Sequence, residues 1–150
     1  MKVSPRRRAR ELVLQGLYER QLARSEPATI AGDLTASPGF QRADETYFNA
    51  LWAGVVSQYD SLLAELAPHL DRKPASLSPI ERSVLIIGAW ELVHRVEIPY
   101  RVVINEAVEL TKDYGGTDGH KFVNGVLDKF AAVIRADEIG ALARERGAAS

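Results

Sequence analysis

The chain of 150 residues is 46% hydrophobic, which is enough for one domain with a sizeable core. It has no cysteine, which excludes disulfides and thiolate metal sites and favours a cytoplasmic location. Its longest run without polar side chains, residues 84–90, is far shorter than the roughly 20 residues of a membrane span, so no membrane association is expected.

The first helix is predicted to start at Ser4 and Pro5, a good N-cap and a favoured first helical residue, and to run to about Arg24. Five of the first ten residues are basic and none is acidic: Lys2, Arg6, Arg7, Arg8 and Arg10. Since the net charge of the chain is −1, the other 140 residues together carry −6. Cations are unfavourable at a helix N-terminus, so stability does not require this cluster. It indicates an anionic partner, with a solvated charged end as the alternative.

Residues 25–43 contain two prolines and two glycines, which predicts a loop with at most a short helix at residues 29–34. From Asp44, a predicted N-cap, apolar residues recur at helical spacing as far as Pro68, with a kink expected at residues 57–61. The aromatic side chains of this stripe are interpreted as core, because a base-stacking platform needs exposed rings.

The second half of the chain predicts three further helices and a C-terminal tail. A capping box, Ser78-Pro79-Ile80-Glu81, opens a buried helix that should stop near Arg95. Residues 99–134 predict a helical hairpin, whose Gly-rich turn precedes Asp118, the expected cap of the last long helix. Residues 135–150 are rich in Ala and Arg and predict a frayed helix or a tail.

These elements define an all-α fold class, a compact bundle of six to seven helices. Residues 1–134 are expected to form one helical domain, followed by the Ala/Arg-rich tail at residues 135–150. No internal repeat is visible, and the one strand-like run is short and continues into a helical pattern.

No set of residues indicates catalysis. Glu91 and His94 have the spacing of a di-iron carboxylate site, but that site needs two such motifs and two more glutamates, so both are interpreted as solvent-facing residues at a helix end. Asp118 and His120 have no accompanying nucleophile elbow. The Gly-rich turn follows a helix and lacks the Gly-Lys-Ser/Thr ending of a phosphate loop. We therefore expect no metal, cofactor, small-molecule substrate or enzymatic activity.

Three blocks of the sequence resemble the NusB family of bacterial transcription antitermination factors. The first is the run from Arg6 to Glu11 that leads to Gln15 and Leu17-Tyr18, and the second is Pro99-Tyr100 with Ile104-Asn105-Glu106-Ala107 and Glu109-Leu110. The third block, residues 120–129, is ten contiguous residues and is specific. Together the blocks span about residues 4–134, with residues 25–43 and the tail outside the resemblance.

The resemblance implies a compact all-helical protein without catalysis or a cofactor. Such a protein pairs with NusE, which is also a ribosomal protein of the small subunit. The pair binds the boxA element, a single-stranded RNA in ribosomal RNA leaders, and helps to load an antitermination complex on RNA polymerase.

The resemblance also implies which residues act. The RNA-binding segment is the basic run Arg6, Arg7, Arg8 and Arg10, with Lys2 as an extra phosphate contact, and arginine suits this role because its planar fork pairs phosphate and stacks on bases. A second RNA-binding patch consists of Asp118, Lys121 and Phe122. Tyr18 and Glu81 resemble positions near the contact with NusE. The alternatives are a core ring for Phe122, a core tyrosine for Tyr18 and a helix cap alone for Glu81.

Two other functions compete with this one. Some ribosomal RNA methyltransferases carry a similar helical domain at the N-terminus, in which case a Gly-rich cofactor-binding strand and turn should follow, and none occurs up to Ser150. A purely structural helical dimer with a solvated basic end is the other, and it predicts that replacing Arg6, Arg7 and Arg10 leaves RNA binding unchanged.

Overall fold

The computed structural model describes residues 3–149, and all regular elements in that range are helical. The described part contains eight α-helices: α1 Pro5–Ala23, α2 Pro27–Thr35, α3 Glu45–Ser57, α4 Tyr59–Leu66, α5 Pro79–His94, α6 Tyr100–Tyr114, α7 Gly119–Ile134 and α8 Ala136–Ala149. Three short 3-10 turns lie between them: Phe40–Arg42, Ala67–His69 and Pro74–Ser76. The all-α class is confirmed, but the predicted number of six to seven helices is too low.

Three of the four predicted helix starts are confirmed by hydrogen bonds to the exposed N–H groups of the first turn. Ser4 Oγ accepts from the backbone N of Arg7 at 3.1 Å, and Asp44 Oδ1 accepts from that of Tyr47 at 3.0 Å. Ser78 Oγ accepts in the same way from the N–H of Glu81, at 3.1 Å. Each cap satisfies a donor that the helix itself leaves unpaired.

Asp118 is the exception among the predicted caps. It occupies the position before α7, but its side chain makes no capping hydrogen bond. Its carboxylate lies 3.6 Å from Lys121 Nζ instead, and its backbone oxygen accepts from the Lys121 N–H at 3.2 Å. The prediction of a side-chain cap at Asp118 is therefore wrong.

The region predicted as a loop contains a helix, α2, that contributes apolar side chains to the core. α2 covers the predicted short helix and extends it by two residues at its N-terminal end and one at its C-terminal end, and it buries Ile30 and Leu34 against α1. Gly39, at φ 92°, supplies the left-handed turn that brings Phe40 back to the core. The Phe40 and Phe48 rings pack edge to face, with centroids 5.3 Å apart.

Helix α5 is the centre of the bundle. It packs against α1, α3, α4, α6 and α7, and its residues from Ser83 to Leu92 are all buried. Its approach to α3 requires a glycine, because a Cβ on Gly54 would lie 2.0 Å from Trp90 Nε1. A helix that is apolar on every side is typical of such a central position.

The C-terminal stretch that the sequence predicts as a tail or frayed helix begins on a buried residue. Arg135 is 4% exposed, and its guanidinium donates to the backbone oxygens of Leu92 at 2.7 Å, Ile98 at 3.0 Å and Arg95 at 3.0 Å. It also pairs with Glu138 of α8. Arg135 thereby ties the start of α8 to the end of α5. None of the described helices combines the length and apolar character needed to cross a membrane.

Gly54→Ala tests the close approach of α3 and α5. The added methyl group collides with the buried Trp90 ring, so we expect a loss of about 1–3 kcal/mol in the free energy of unfolding, measured by urea denaturation. Gly32→Ala in α2 is the control, because nothing lies within 4 Å of its added Cβ and alanine favours a helix by about 0.5–1 kcal/mol. Equal stabilisation by both substitutions would contradict the packing described here.

Candidate nucleic-acid interface

The first turn of α1 displays three arginines, Arg6, Arg7 and Arg8, which we call the α1 patch. Arg7 forms a two-pronged ion pair with Glu106 of α6, with Nε–Oε2 at 2.8 Å and Nη2–Oε1 at 3.1 Å. Its side chain remains 35% exposed, so the far edge of the guanidinium faces solvent. The hydrogen bond with Glu106 raises the pKa of Arg7, so its charge is permanent.

The other two arginines of the α1 patch are held differently. Arg8 pairs with Glu11 one turn further along α1, at 3.0 Å, and keeps 32% of its side chain exposed. Arg6 is exposed, and its guanidinium carbon lies 4.3 Å from the centroid of the Tyr47 ring. This is a cation–π distance. Arg6 is therefore the member of the α1 patch whose charge no carboxylate of the described chain neutralises.

Arg10 does not belong to the surface. Its side chain is 4% exposed and donates from Nε to both oxygens of Glu91, at 3.1 and 2.9 Å. Glu91 is 1% exposed, so its interpretation as a solvent-facing residue is wrong, and the pair forms a buried link between α1 and α5. The expectation that Arg10 contacts RNA does not fit this position, because its charge is already satisfied inside the protein.

Tyr47 completes this buried group. Its hydroxyl donates to Glu91 Oε2, and burial, with the neighbouring Glu91 charge, raises the pKa of Tyr47 well above its ordinary value. The hydroxyl therefore stays protonated and acts as a donor. Burial disfavours the charged form of Arg10, yet Glu91 overcomes this and raises the pKa of Arg10. The group thus holds one cation and one anion without an unpaired charge.

The second predicted patch lies at the start of α7. Lys121 and Asp118 are far out in solvent, with 75% and 77% of their side chains exposed. Phe122 is half-buried and packs on the core, so it is neither a free ring nor a fully buried one. The guanidinium of Arg72 lies 4.1 Å from the centroid of the Phe122 ring.

Sequence reasoning missed three residues beside Phe122. Arg72 lies over the ring and pairs with Asp71 at 2.7 Å. His69, Asp71 and Lys129 line a shallow cleft of about 220 Å³ with Lys121 and Phe122. The spacing of Lys129, eight residues after Lys121, places both on one face of α7 and was available from the sequence. Nothing in the sequence places the linker residues His69 and Arg72 at this helix. We call the group Lys121, Phe122, Lys129, His69 and Arg72 the α7 patch.

Arg7 of the α1 patch and the start of α7 both lie beside α6, at different positions along it. Arg7 meets it at Glu106, and a Cβ on Gly119 would lie 3.2 Å from Thr111 Cγ2, so α7 begins beside Thr111. Five residues of helix separate these two positions, which is a rise of about 7.5 Å. Lys2, expected to extend the α1 patch, lies outside the described residues.

Tyr18, one of the two residues expected to contact a partner protein, lines a groove of about 410 Å³ that also contains Arg8 of the α1 patch. Tyr18 is 40% exposed, which excludes the core alternative, and it lines this groove with Leu14, Ile80 and Tyr114. Glu81 follows Ile80 at the start of α5, where its Oε2 accepts from Ser78 Oγ at 3.0 Å. The groove therefore combines two exposed tyrosines and aliphatic side chains with the Arg8–Glu11 ion pair, to which the Tyr114 hydroxyl donates. In the described part of the chain, no group of three or more His, Cys, Asp or Glu residues could hold a metal ion.

Residues 7–132 match the model of the NusB family. The chain belongs to the NusB family. A transcription antitermination protein NusB from Ralstonia pickettii strain 12J is 54% identical over 138 residues, covering 92% of this chain and 89% of that protein. That coverage leaves little room in the relative for an additional catalytic domain, so the comparison gives no support to the methyltransferase alternative.

Solved structures share the fold. The NusB of T. maritima superposes with a TM-score of 0.76 at 29% identity, covering 87% of this chain and 92% of that one. A chain from a crystal structure of the antitermination factors NusB and NusE in complex with dsRNA gives a TM-score of 0.73 at 23% identity, covering 85% and 96% of the two chains. The NusB fold is therefore the architecture on which the two patches and the groove are placed.

Glu91→Ala tests the buried ion pair. The substitution leaves the Arg10 cation without its partner in the core, so we expect a loss of about 3–5 kcal/mol in the free energy of unfolding, measured by urea denaturation. The control is Glu109→Ala, which breaks the exposed pair with Lys112 and should cost less than about 1 kcal/mol. Similar losses for the two variants would show that the Arg10–Glu91 pair is not buried.

Proposed function

We propose that this chain is a non-enzymatic, RNA-binding transcription antitermination factor that pairs with NusE and binds boxA single-stranded RNA of ribosomal RNA leaders. On this proposal it acts within an antitermination complex on RNA polymerase. The observation that carries the proposal is the α1 patch, three solvent-facing arginines on the rigid first turn of a helix. The helix dipole disfavours cations there, so folding alone gives no reason for them.

RNA phosphates are the proposed ligands of the α1 patch. Arg6 has a charge that no carboxylate of the described chain neutralises, above the Tyr47 ring. Arg7 and Arg8 are each paired with a carboxylate, and the part of each guanidinium that is not in this pair remains available to phosphate. The relative position of the three is fixed by α1, so few side-chain rotations need to be lost on binding. Arg10 is left out of this set because it is buried.

The α7 patch is the proposed second contact. Lys121 is exposed and pairs with an RNA phosphate, and Asp118 beside it accepts a hydrogen bond from a ribose or a base. The Arg72 guanidinium over Phe122 presents a flat cation on which an unstacked base can lie. Arg7 and the start of α7 both lie beside α6, about 7.5 Å apart along its axis, and the proposal is that one single strand contacts both patches.

The Tyr18 groove is the proposed contact with NusE. Exposed tyrosines with aliphatic neighbours are typical of the buried centre of a protein interface. Glu81 follows Ile80 of this groove and takes part in the cap of α5, so a partner contact and a capping role do not conflict. The neighbour whose crystal structure contains NusB, NusE and dsRNA supports both partners, and the choice of single-stranded boxA RNA rests on the family resemblance.

The salt dependence of RNA binding tests the α1 patch. With four or five phosphate contacts, the logarithm of boxA affinity should fall against the logarithm of salt concentration with a slope of roughly −3. Replacing Arg6, Arg7 and Arg8 by Gln together should flatten the slope to about −1, measured by fluorescence anisotropy at several salt concentrations. The matched triple variant Arg42→Gln, Arg144→Gln and Arg146→Gln removes the same charge from exposed positions elsewhere. Identical slopes for the two triple variants would exclude the α1 patch as the RNA contact. The affinity for a duplex of the same sequence, measured in the same way, shows whether single strands are preferred.

Tyr18→Ala tests the partner groove. Loss of a central interface tyrosine should weaken NusE binding by about tenfold or more, measured by calorimetry, without changing RNA binding by the isolated chain. Leu22→Ala, an exposed apolar residue of α1 outside the groove lining, is the control. Glu81→Gln retains the capping pattern, so weaker NusE binding by this variant at unchanged stability would identify a partner contact. Unaltered NusE binding by Tyr18→Ala would place the interface elsewhere.

A further inference from the structure

A second cleft beside α1 is lined by three arginines that the proposed function does not use. It has a volume of about 540 Å³ and lies where the end of α1, the α3–α4 corner and the start of α5 meet. Its basic lining residues are Arg20, Arg24 and Arg82, and Asp60 is the one acid among its lining residues. Leu17, Val56 and the Tyr59 side chain supply the rest of its wall.

Two of the three arginines are held by backbone oxygens, and none of the three is neutralised by a carboxylate of the described chain. Arg20 Nη1 donates to the backbone oxygen of Ser25 at 2.6 Å, and Arg82 Nη2 donates to that of Pro74 at 3.0 Å. Within the described residues none of the three lies within 4.0 Å of a carboxylate oxygen, whereas Arg7, Arg8 and Arg10 all do. Neutral oxygens orient a guanidinium without cancelling its charge, so the cleft keeps an excess of positive charge.

The walls of the same cleft contain polar atoms that the fold leaves without partners. Gln21 Oε1 and Arg82 Nε are buried and have no hydrogen-bond partner in the described part of the chain, and the buried Tyr59 hydroxyl, without a hydrogen bond of normal geometry, faces the Arg82 guanidinium. Burial raises the pKa of Tyr59, while the Arg82 guanidinium opposes that shift, so the hydroxyl is a neutral donor. Unpaired buried polar atoms cost free energy and are uncommon in native proteins, and their concentration at one cleft requires an explanation.

Arg24 stands in an unfavourable backbone conformation. It follows α1 with φ 56° and ψ 28°, and it is the one non-glycine residue with positive φ in the described chain. Glycine is the usual residue at such a helix end, and a side chain there costs about 1 kcal/mol. Arg20 and Arg24 both line the cleft at this helix end.

We propose that this cleft binds a small phosphate-bearing molecule, whose phosphate oxygens contact Arg20, Arg24 and Arg82 and whose organic part lies on Leu17, Val56 and Tyr59. The arginine fork matches phosphate oxygens in pairs, and charge-assisted hydrogen bonds of this type are the strong ones. A cleft of this volume is in the range of small-molecule sites. The proposal is independent of the antitermination function, since it uses none of the residues assigned to RNA or NusE.

Isothermal calorimetry with the full chain tests the site, using pyrophosphate and ATP without metal ions as the probes. The wild type should bind both, and Arg24→Gln should weaken binding about tenfold through loss of one charged contact. The side chain of Arg24 makes no hydrogen bond within the described chain, so this variant should unfold at the wild-type temperature. A triple variant, Arg20→Gln, Arg24→Gln and Arg82→Gln, should abolish binding. The triple variant of Arg42, Arg144 and Arg146 is the charge-matched control and should bind as the wild type does.

Three results would overturn the proposal. One is no binding of either probe by the wild type, and another is equal weakening by the cleft and control triples, which would show general charge attraction. The third is loss of boxA RNA binding by a cleft variant when pyrophosphate binds neither the wild type nor any variant. That result would make the cleft part of the RNA-binding surface. Failure of the α1 patch in the salt experiment leaves these outcomes unaffected, so the two proposals can fail separately.

Discussion

Arg10 and Glu91 form an ion pair inside the bundle, and the placement of the exposed arginines depends on it. The pair joins α1 to α5, and the Tyr47 hydroxyl from α3 donates to the same carboxylate, so three helices meet at one anion. Removing both charges from water costs several kcal/mol per ion, and only multiple well-placed hydrogen bonds offset that cost. Such a group tolerates little displacement, so it fixes the position of α1 along the axis of α5. The direction in which Arg6 and Arg7 leave the surface follows from that register.

The same constraint explains why adjacent arginines have different roles. Glu106 forms a close pair with Arg7 and lies 3.7 Å from Arg10 Nη1, so one carboxylate stands between the buried and the exposed cation. It has two opposing effects on a polyanion at this surface. It holds the Arg7 guanidinium in place, which lowers the side-chain entropy lost on binding, and it competes with phosphate for the same guanidinium. Arg6 avoids the competition, because an aromatic ring holds it instead of a carboxylate.

Periodicity and capping chemistry account for most of the fold because they are local. Ser4, Asp44 and Ser78 bond to N–H groups three residues away, which the sequence displays directly. Burial of a charged residue is not local. Arg6 and Arg10 share a helix face, and what separates a surface arginine from a core arginine is Glu91, 81 residues further along the chain.

The α7 patch also depends on a contact that is not local in the sequence. Arg72 contacts Phe122 from a linker whose sequence has no pattern that predicts this contact.

The helix dipole offers a simpler reason for arginines at the C-terminal end of α1, and it explains only part of the cleft. Arg20 and Arg24 lie where free carbonyls favour a cation, so stability alone accounts for their charge. Arg82 lies in the first turn of α5, where the dipole disfavours a cation, and it has no ion pair there within the described residues. Its Nε is also buried without a partner. Helix stabilisation therefore does not explain the charge of Arg82, whereas a bound anion accounts for all three arginines.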